Sequence, residues 1–397
     1  MKPLSFDDAR ATVLREVQSA YAEPLVEHVA LSHAHLRIVA EDIRADRDYP
    51  PFDRSARDGF ALRAGDVPGA LRVIGEARAG AAFPGQIQSG EAVEIMTGAP
   101  VPGGADAVVM VEHIVRNDDG SVTIPNPLEH SANISRRGCE AAMGSVVIGK
   151  GARIEYPAIA MLAATGHWNP RVYRRPGVAI IATGDEIVEI DEQPGPHQIR
   201  NSNAWSLAAQ VARAGGAPLV LPIARDTQEH TRTIIENAIA QADLLLLSGG
   251  VSAGKYDVVE LAVADIGAEF FFDRVKIQPG QPLVFGRARD RFFFGLPGNP
   301  LSTMVTFELF ARPAIEILSG CSRREFPVTT AKLTEALRQK PGLTRFLPAV
   351  IDRGNVTPVP WQGSADVGAL CRANGFLITD PDHVLYEGGA MISVLPI

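Results

Sequence analysis

Three short apolar runs, each followed at once by a glycine-containing loop, constrain the fold of this 397-residue chain more than any other feature. The runs lie at 178–182, 244–247 and 292–296. Strands that are apolar without interruption are typical of parallel sheets, because helices cover both faces of such sheets. Stretches with helical character at 204–214 and 226–242 separate the runs. This alternation predicts a central α/β sandwich with a mainly parallel sheet.

The rest of the chain indicates a multidomain protein of class α/β plus β. Short β-rich segments between glycine and proline turns fill residues 45–140, which we interpret as an inserted β-rich domain with a hairpin around 117–120. The same pattern returns over 323–397 and predicts a small β-barrel or sandwich. The apolar spacing also predicts a helix over 6–20 and a second short helix over 36–44.

Composition excludes several classes of protein. The net charge is −8, whereas a nucleic-acid-binding protein needs a basic surface, so we expect no nucleic-acid partner. No apolar run approaches the ~18 residues that span a bilayer, so we expect no membrane partner. Two carboxylates within the first eight residues do not fit a secretory signal. Three scattered cysteines fit a reducing compartment, and we therefore expect a cytoplasmic protein.

The three loops that follow the apolar runs predict a binding site. In open parallel sheets ligands bind beyond the carboxyl ends of the strands. Glycines there let backbone amides approach a phosphate group, and helix N-termini favour anions. One such loop would be no more than a tight turn, but three at one edge favour a site of phosphate or nucleotide size. The loop residues are Thr183, Gly184, Ser248, Gly249, Gly250, Ser252, Pro297, Gly298, Asn299 and Pro300.

Carboxylates cluster near the same predicted edge, at Asp185, Glu186, Asp226 and Asp257. Acidic groups beside a phosphate site indicate a shared divalent cation, most often magnesium, because they would otherwise repel the ligand. Asp185 and Glu186 are adjacent, so an extended chain points them in opposite directions and one of them faces the site. Asp226 has an alternative role, since with Glu229 three residues later it could simply cap a helix.

Other catalytic motifs are incomplete. The glycine-rich loop around Ser252 resembles a hydrolase nucleophile elbow, but His383 is the only later histidine and no oxyanion loop precedes it. Residues 144–151 imitate a P-loop but lack the hydroxyl residue that binds magnesium. His33 and His35 have no further zinc ligands in a suitable pattern.

Five separated motifs, in order along the chain, together resemble one known family. They include Thr183-Gly184-Asp185-Glu186, and they lie at 50–61, 95–100, 183–186, 248–252 and 295–300. On these motifs the chain resembles the molybdopterin molybdenumtransferases, bacterial enzymes that are similar to the C-terminal domain of gephyrin. The resemblance runs from about residue 20 to the end of the chain.

The resemblance implies a transferase of molybdenum cofactor biosynthesis. Such an enzyme takes adenylylated molybdopterin and molybdate, requires Mg²⁺, and releases AMP and molybdenum cofactor. The resemblance further implies an L-shaped homodimer, with the molybdopterin adenylyltransferase and molybdoenzyme chaperones as further partners.

The family has four domains per subunit. Transferred to this chain, they are an elongated linking and dimerisation domain of residues 1–44 with 141–175, the inserted domain, an α/β molybdopterin-binding domain of 176–322 and the C-terminal barrel of 323–397. The first helix could also pack on the α/β domain.

The resemblance also assigns roles to residues. Glu186 and Asp226 would be catalytic and would hold magnesium, while Asp58 and Thr97 of the inserted domain would be catalytic in the active site of the other subunit. Asp257 would belong to the pterin-nucleotide pocket. Together with Lys276, which rests on a separate charge argument and not on the resemblance, the predicted substrate-binding set is Thr183, Gly184, Asp185, Ser248, Gly249, Gly250, Ser252, Asp257, Arg274, Lys276, Gln278, Pro297, Gly298, Asn299 and Pro300.

One departure from the family concerns positive charge. The family has cations at the positions of Arg274 and Gln278, whereas this chain has Arg274 and Lys276. If 270–278 is one strand, alternation places Arg274, Lys276 and Gln278 on one face. We therefore hypothesise that Lys276 replaces the lost cation and holds the substrate phosphate or molybdate. The alternative is that Gln278 and Gln281 bind a less charged ligand through neutral hydrogen bonds.

Two smaller departures are Asn201, where the family often has aspartate, and Cys139, where it has glutamate. A different class of function is a gephyrin-like scaffold that binds a partner without turnover. A third is the adenylylation of molybdopterin by a related α/β domain. The intact glycine loops favour an enzyme over a scaffold, and the additional β-rich domains argue against the adenylylating domain, which normally stands alone.

Overall fold

The computed structural model describes residues 2–250, 258–322 and 326–397. The chain divides into two compact units, each of which is assembled from separate stretches of sequence. The first unit comprises Met1–Ala40, Gly151–Glu155 and Arg171–Ile397, and the second comprises Glu41–Lys150 and Tyr156–Pro170. The four domain boundaries that the resemblance implies stay predictions.

The α-helices of the described residues are short to medium in length. They are α1 (Phe6–Ser19), α2 (Tyr156–Ala164), α3 (Ser202–Ala214), α4 (Gln228–Gln241), α5 (Val258–Asp265), α6 (Pro300–Thr306), α7 (Arg312–Leu318) and α8 (Val367–Cys371). A π-helical turn, Phe307–Ala311, joins α6 to α7. Single 3₁₀ turns lie at Leu31–His33, Ala64–Asp66 and Val111–His113.

The centre of the first unit is a six-stranded sheet. Across the sheet the order of its strands is Ala217–Val220, Gly177–Ala182, Leu244–Ser248, Arg291–Leu296, Pro282–Ala288 and Glu269–Arg274. The first four strands pair in parallel, and the last two are antiparallel to their neighbours. The antiparallel pair Pro282–Ala288 and Arg291–Leu296 is joined by a tight turn at Arg289, whose φ is 53°. The predicted α/β sandwich is confirmed.

Helices cover both faces of this sheet, as the uninterrupted apolar strands require. Along Leu244–Ser248 the side chains alternate: Leu244 and Leu246 pack with α1, α3, α6 and α7, whereas Leu245 and Leu247 pack with α4 and α5. All four leucines are almost completely buried. Burial of one such side chain is worth about 1.5–3 kcal/mol, so the two layers hold the sheet rigidly.

The C-terminal part of the first unit is a closed β-barrel, as predicted. Its strands are Thr329–Leu333, Thr344–Asp352, Asn355–Pro358, Gly375–Thr379 and Met391–Pro396. Thr344–Asp352 pairs with both Asn355–Pro358 and Gly375–Thr379, which closes the ring. Leu333, Val356, Leu377 and Val394 fill the interior.

The second unit is β-rich. Its main sheet has the strand order Ala107–Met110, Gly59–Leu62, Glu91–Ile95, Gly69–Ala77, Val122–Ile124 and Val115–Arg116. Val115–Arg116 and Val122–Ile124 pair antiparallel, which confirms the hairpin around 117–120. Apolar clusters on both faces of this sheet form its core, with Phe60 on one face and Val93 on the other.

Shorter strands pair outside these sheets. The pairs are Val26–His28 with Arg171–Tyr173, Ile43–Arg44 with Val146–Ile148, Arg54–Ser55 with Ile134–Ser135, Ile187–Val188 with Ile199–Arg200, and Leu337–Arg338 with Leu385–Tyr386. The short strand Ile277–Gln278 pairs with the barrel.

The predicted helix over 36–44 is wrong. Leu36 has a φ of 61°, which no right-handed helix contains. Its backbone N–H donates to the carbonyl of Ile154, 2.8 Å away, and Val39 donates to Ala152 at 2.9 Å. Backbone hydrogen bonds to a segment more than 100 residues away therefore replace the local helical bonds, which an apolar spacing alone does not reveal.

Among the described residues, no helix combines the length and the apolar character that a membrane crossing requires.

The core packing predicts a large difference between two leucines. Leu246→Ala, at a position with no exposed surface, should lower the free energy of unfolding by roughly 2–5 kcal/mol, because it leaves a cavity between sheet and helices. Leu261→Ala on α5, where 51% of the leucine is exposed, should change it by no more than about 0.5 kcal/mol. Urea unfolding followed by fluorescence measures both, and equal losses would contradict this packing.

Candidate active site

The carboxyl ends of three neighbouring parallel strands form one wall of a cavity of about 350 Å³. The register places Ala182 opposite Ser248 and Ser248 opposite Leu296, so the three strands end level. Their loops therefore begin at the same edge of the sheet. The predicted site residues that line this cavity are Thr183, Glu186, Ser248, Gly249, Gly250, Pro297, Gly298, Asn299 and Pro300.

Two glycines allow the loop after Ser248 to approach Thr183 closely. Gly249 has a φ of 96°, and a Cβ atom at this position would lie 2.6 Å from the carbonyl oxygen of Thr183. Gly250 has a φ of 62°, and its Cβ atom would lie 2.9 Å from the Thr183 hydroxyl oxygen and 2.7 Å from Val259. Both positions are therefore closed to any side chain. The predicted glycine loop owes its shape to this close approach.

The N-terminus of α3 forms another wall of the cavity through Asn201, Ser202 and Asn203. Asn201 is the N-cap, and its side-chain oxygen accepts a hydrogen bond from the backbone N–H of Ala204 at 3.2 Å. A carboxylate could cap the helix in the same way. The departure from aspartate at this position is thus compatible with the local fold.

Asn203 is a site residue that the sequence reasoning missed. Its side-chain amide donates to the Ser248 hydroxyl and to the Gly298 carbonyl oxygen, both at 2.8 Å. It thereby ties two of the glycine loops to α3. The only sequence signal was the polar run 201–203 just before the predicted helix, which by itself reads as a capping sequence.

The carboxylates occupy two different environments. The carboxylate of Asp226 accepts from the backbone N–H of Asp185, and that of Asp185 accepts from the N–H of Asp226, both at 3.3 Å. Neither residue lines the cavity, whereas Glu186 does. The two adjacent acids therefore face different ways, as their positions predicted. The reciprocal bonds hold the loops after Ala182 and Ala224 together.

Asp226 does not cap α4. The helix begins at Gln228, its N-cap is Thr227, and no side chain caps it. The capping alternative for Asp226 is therefore wrong, and its carboxylate binds the neighbouring loop instead.

The fit of magnesium depends on which oxygen donors the site offers. Among the residues that the structure describes, no three acidic, histidine or cysteine side chains form a ready-made metal cage. Magnesium commonly takes one or two carboxylates and completes its shell with water and substrate phosphate. Glu186 at the cavity and Asp226 on the adjoining loop supply carboxylates of this kind, so the donor chemistry fits.

Asp58 and Thr97 meet within the second unit. The backbone N–H of Thr97 donates to the Asp58 carboxylate at 2.7 Å, and the Thr97 hydroxyl donates to the same oxygen at 3.0 Å. These two hydrogen bonds hold the pKa of Asp58 below its usual range. The pair is therefore a carboxylate with a fixed orientation, and it is exposed.

The segment that carries Arg274 and Lys276 is not one continuous strand, contrary to the prediction for 270–278. It leaves the central sheet after Arg274, because the N–H of Lys276 donates to the carbonyl of Leu4, and it then pairs with the barrel at Ile277–Gln278. Arg274, Lys276 and Gln278 are nevertheless all exposed, as the predicted alternation requires.

Of the side chains of Arg274, Lys276 and Gln278, that of Gln278 lines one of two neighbouring cavities and the other two line neither. Arg274 and Lys276 line neither the cavity described above nor its neighbour of about 620 Å³, which shares Pro297 and Asn299 with it. Gln278 and Gln281 line the neighbouring cavity, and Gln278 accepts a hydrogen bond from the guanidinium of Arg345 at 2.8 Å. A substrate-binding role for Lys276 stays a prediction.

Two predicted substrate-binding residues, Ser252 and Asp257, lie outside the described residues. Gly184 lies within the first loop with a φ of 143°, and the absence of a side chain there leaves room for the Glu186 carboxylate, with which a Cβ atom would collide.

Three family models match successive parts of the chain. "MoeA N-terminal region (domain I and II)" matches residues 4–166, "Probable molybdopterin binding domain" matches 179–317, and "MoeA C-terminal region (domain IV)" matches 330–397. A protein of Bacillus subtilis named molybdopterin molybdenumtransferase is 36% identical in an alignment of 407 positions that covers 99% of this chain and 94% of the relative. The chain belongs to the molybdopterin molybdenumtransferase family.

Further relatives agree with this assignment. A molybdopterin molybdenumtransferase of Haemophilus influenzae is 32% identical and covers 99% of this chain and 98% of its own length. The crystal structure of the molybdopterin biosynthesis moeA protein from Pyrococcus horikoshii OT3 superposes with a TM-score of 0.83 over the whole of both chains, at 27% identity. The predicted family, the multidomain fold class and the assignment as a transferase of molybdenum cofactor biosynthesis are confirmed.

The close approach of the second loop to Thr183 predicts unequal effects of two glycine substitutions. Gly267→Ala places a side chain at a φ of 78° in open space and should cost about 1 kcal/mol of stability from backbone strain alone. Gly249→Ala adds a clash with the Thr183 carbonyl and should cost distinctly more. Thermal unfolding compares the two variants, and equal midpoints would show that the loop is not held against Thr183.

Proposed function

We propose that this transferase inserts molybdate into adenylylated molybdopterin in a magnesium-dependent reaction that releases AMP and molybdenum cofactor. The observation that carries the proposal is the convergence of three glycine loops and Glu186 on one cavity at the edge of a parallel sheet. The names of the relatives support the molybdopterin part of the substrate. Supplying the purified chain with adenylylated molybdopterin, Mg²⁺ and molybdate, and measuring AMP, tests it directly.

The glycine loops and α3 suit the pyrophosphate of the substrate. Gly250 leaves backbone open to the cavity, because no side chain shields it, whereas the N–H of Gly249 donates to the carbonyl of Leu296 at 3.2 Å and shapes the loop. The N-terminus of α3 reaches the same cavity through Asn201, Ser202 and Asn203, and helix N-termini favour negative charge. The described residues of the cavity thus offer polar backbone groups, and positioning with charge stabilisation is sufficient for the transfer without a covalent intermediate.

Magnesium would be held by Glu186 and Asp226. When bound, the ion neutralises the pyrophosphate and improves AMP as a leaving group. The reciprocal hydrogen bonds between Asp185 and Asp226 fix the two loops that carry these ligands. The task of Asp185 is therefore to orient Asp226 rather than to bind the substrate.

Asp58 and Thr97 are proposed to complete the active site of a second copy. They belong to the second compact unit, where their mutual hydrogen bonds present a fixed carboxylate. A homodimer is also supported by apolar exposure in this unit. Of the residues of α2 only Leu162 is buried, and Tyr156 and Trp168 are 82% and 75% exposed. Large exposed apolar side chains of this kind mark contact surfaces.

The role of Glu186 predicts a loss of activity without a loss of fold. Glu186→Gln keeps the shape of the side chain but removes a charged ligand worth roughly 1.5–3 kcal/mol. We expect the apparent magnesium affinity in AMP release to fall about ten- to a hundredfold. Glu192→Gln, on the same segment and outside the cavity, is the matched control. Normal turnover of Glu186→Gln at low magnesium would remove Glu186 from the ligand set.

Sharing of the active site between two copies predicts complementation. When AMP release is assayed at limiting magnesium, Asp58→Asn and Glu186→Gln should each be nearly inactive. Coexpression should form mixed dimers with one intact site, and random pairing gives about a quarter of normal activity. Coexpressed Glu186→Gln and Asp226→Asn should show no recovery, because both residues belong to the same unit. If the first pair recovers no more activity than the second, Asp58 does not act in the partner's site.

The molybdopterin adenylyltransferase and molybdoenzyme chaperones stay predicted partners, and a cytoplasmic location stays a prediction.

A further inference from the structure

Two buried oxygen atoms at the cavity have no hydrogen-bond partner among the residues that the structure describes. They are the hydroxyl oxygen of Thr183 and the side-chain carbonyl oxygen of Asn203, and both residues line the cavity. Buried polar groups are almost always satisfied, and leaving one unsatisfied costs free energy. Two such atoms at one site therefore call for a partner that the described residues do not provide, and we consider a ligand in the cavity.

The orientation of the Asn203 amide follows from its neighbours. Its nitrogen donates to the Ser248 hydroxyl and to the Gly298 carbonyl. A carbonyl oxygen only accepts hydrogen bonds, so a flipped amide would place two acceptors against each other at Gly298. The oxygen of Asn203 is thus the atom without a partner, and it can only accept.

The Asn203 oxygen can accept a hydrogen bond from some parts of the substrate and not from others. An ionised phosphate carries acceptors only, so it cannot satisfy Asn203. An N–H group on a nitrogen heterocycle can. The backbone N–H of Thr183 is already used, because it donates to the carbonyl of Ser248 at 3.0 Å, whereas its hydroxyl remains for a ligand.

We infer that Asn203 and Thr183 form a recognition pair for an N–H-bearing heterocycle, and that Asn203 also positions the loops at Ser248 and Gly298 around it. The inference rests on the proposed function, since it concerns the same cavity. The donor chemistry is shared by the adenine amino group and by the amino and lactam N–H groups of a pterin. The phosphate groups of the ligand then bind to backbone N–H groups of the glycine loops and of the α3 N-terminus, beside these two side-chain oxygens and not to them.

The inference predicts an unusual combination of effects on stability and on binding when Thr183 loses its hydroxyl. Thr183→Val removes an unsatisfied buried hydroxyl, so the thermal midpoint without ligand should stay the same or rise. The same variant should bind adenylylated molybdopterin, supplied without molybdate to prevent turnover, about tenfold more weakly. A purely structural threonine would not show these two effects together.

Asn203→Ala provides a second variant in case valine disturbs the loop. Its matched control is Asn117→Ala in the hairpin of the second unit, where the amide also donates two side-chain hydrogen bonds, to Ser121 and Thr123. Both alanine variants should lose a comparable amount of thermal stability. Only Asn203→Ala should weaken the binding of adenylylated molybdopterin and raise its KM more than it lowers kcat.

Calorimetric titration of the full chain with AMP and, separately, with pterin-6-carboxylate distinguishes the two sources of the N–H group. If Thr183→Val and Asn203→Ala bind AMP more weakly than the wild type does, the pair recognises adenine. If they bind pterin-6-carboxylate more weakly, the pair recognises the pterin. Unchanged affinity of both variants for adenylylated molybdopterin, with a wild type that binds it, would overturn the inference alone. A wild type that neither binds it nor releases AMP would overturn the proposed function, and the inference with it.

Discussion

The site depends on the parallel register of three strands. Ala182, Ser248 and Leu296 stand opposite one another, so the strands end level and their loops start from one edge. A shift of one residue in either pairing would exchange the two faces of that strand, so that each side chain would meet the wrong helix layer. The leucines on both sides of Leu244–Ser248 oppose such a shift, because each face packs against its own helices. Core packing therefore fixes the position of the loops.

The loops are then held by polar contacts whose strength depends on exact placement. Gly249 and Gly250 bring the second loop against Thr183, and Asn203 binds the second and third loops to α3. Asp185 and Asp226 join the first loop to the segment before α4. The result is a cavity whose walls are mostly neutral and backbone-rich, with one negative charge at Glu186 and one positive charge at Arg200. Such a cavity suits an anionic substrate that brings a cation with it.

Much of this could be predicted from local sequence. The apolar runs fixed the strands of the parallel core, since an uninterrupted run can only be buried on both faces. The glycines after each run marked the loops, and five ordered motifs were enough for the family. Asp58 and Thr97 were expected to act together on the strength of the resemblance, and the structure joins them through two hydrogen bonds.

Other features were decided only by tertiary structure. The segment 36–44 has helical spacing, but its backbone bonds to Ile154 and Ala152 replace the helix. The segment after Arg274 alternates like a strand, yet it leaves one sheet and joins another because Leu4 takes its backbone N–H. The sequence around Asn203 indicates only the start of a helix. The contribution of Asn203 to the site comes from hydrogen bonds to Ser248 and Gly298, which lie 45 and 95 residues away. By itself the sequence determined what each segment prefers locally, through apolar burial and turn chemistry. Partners distant in sequence decided where that preference was overridden, because a buried backbone or amide group must find a hydrogen bond wherever the fold offers one.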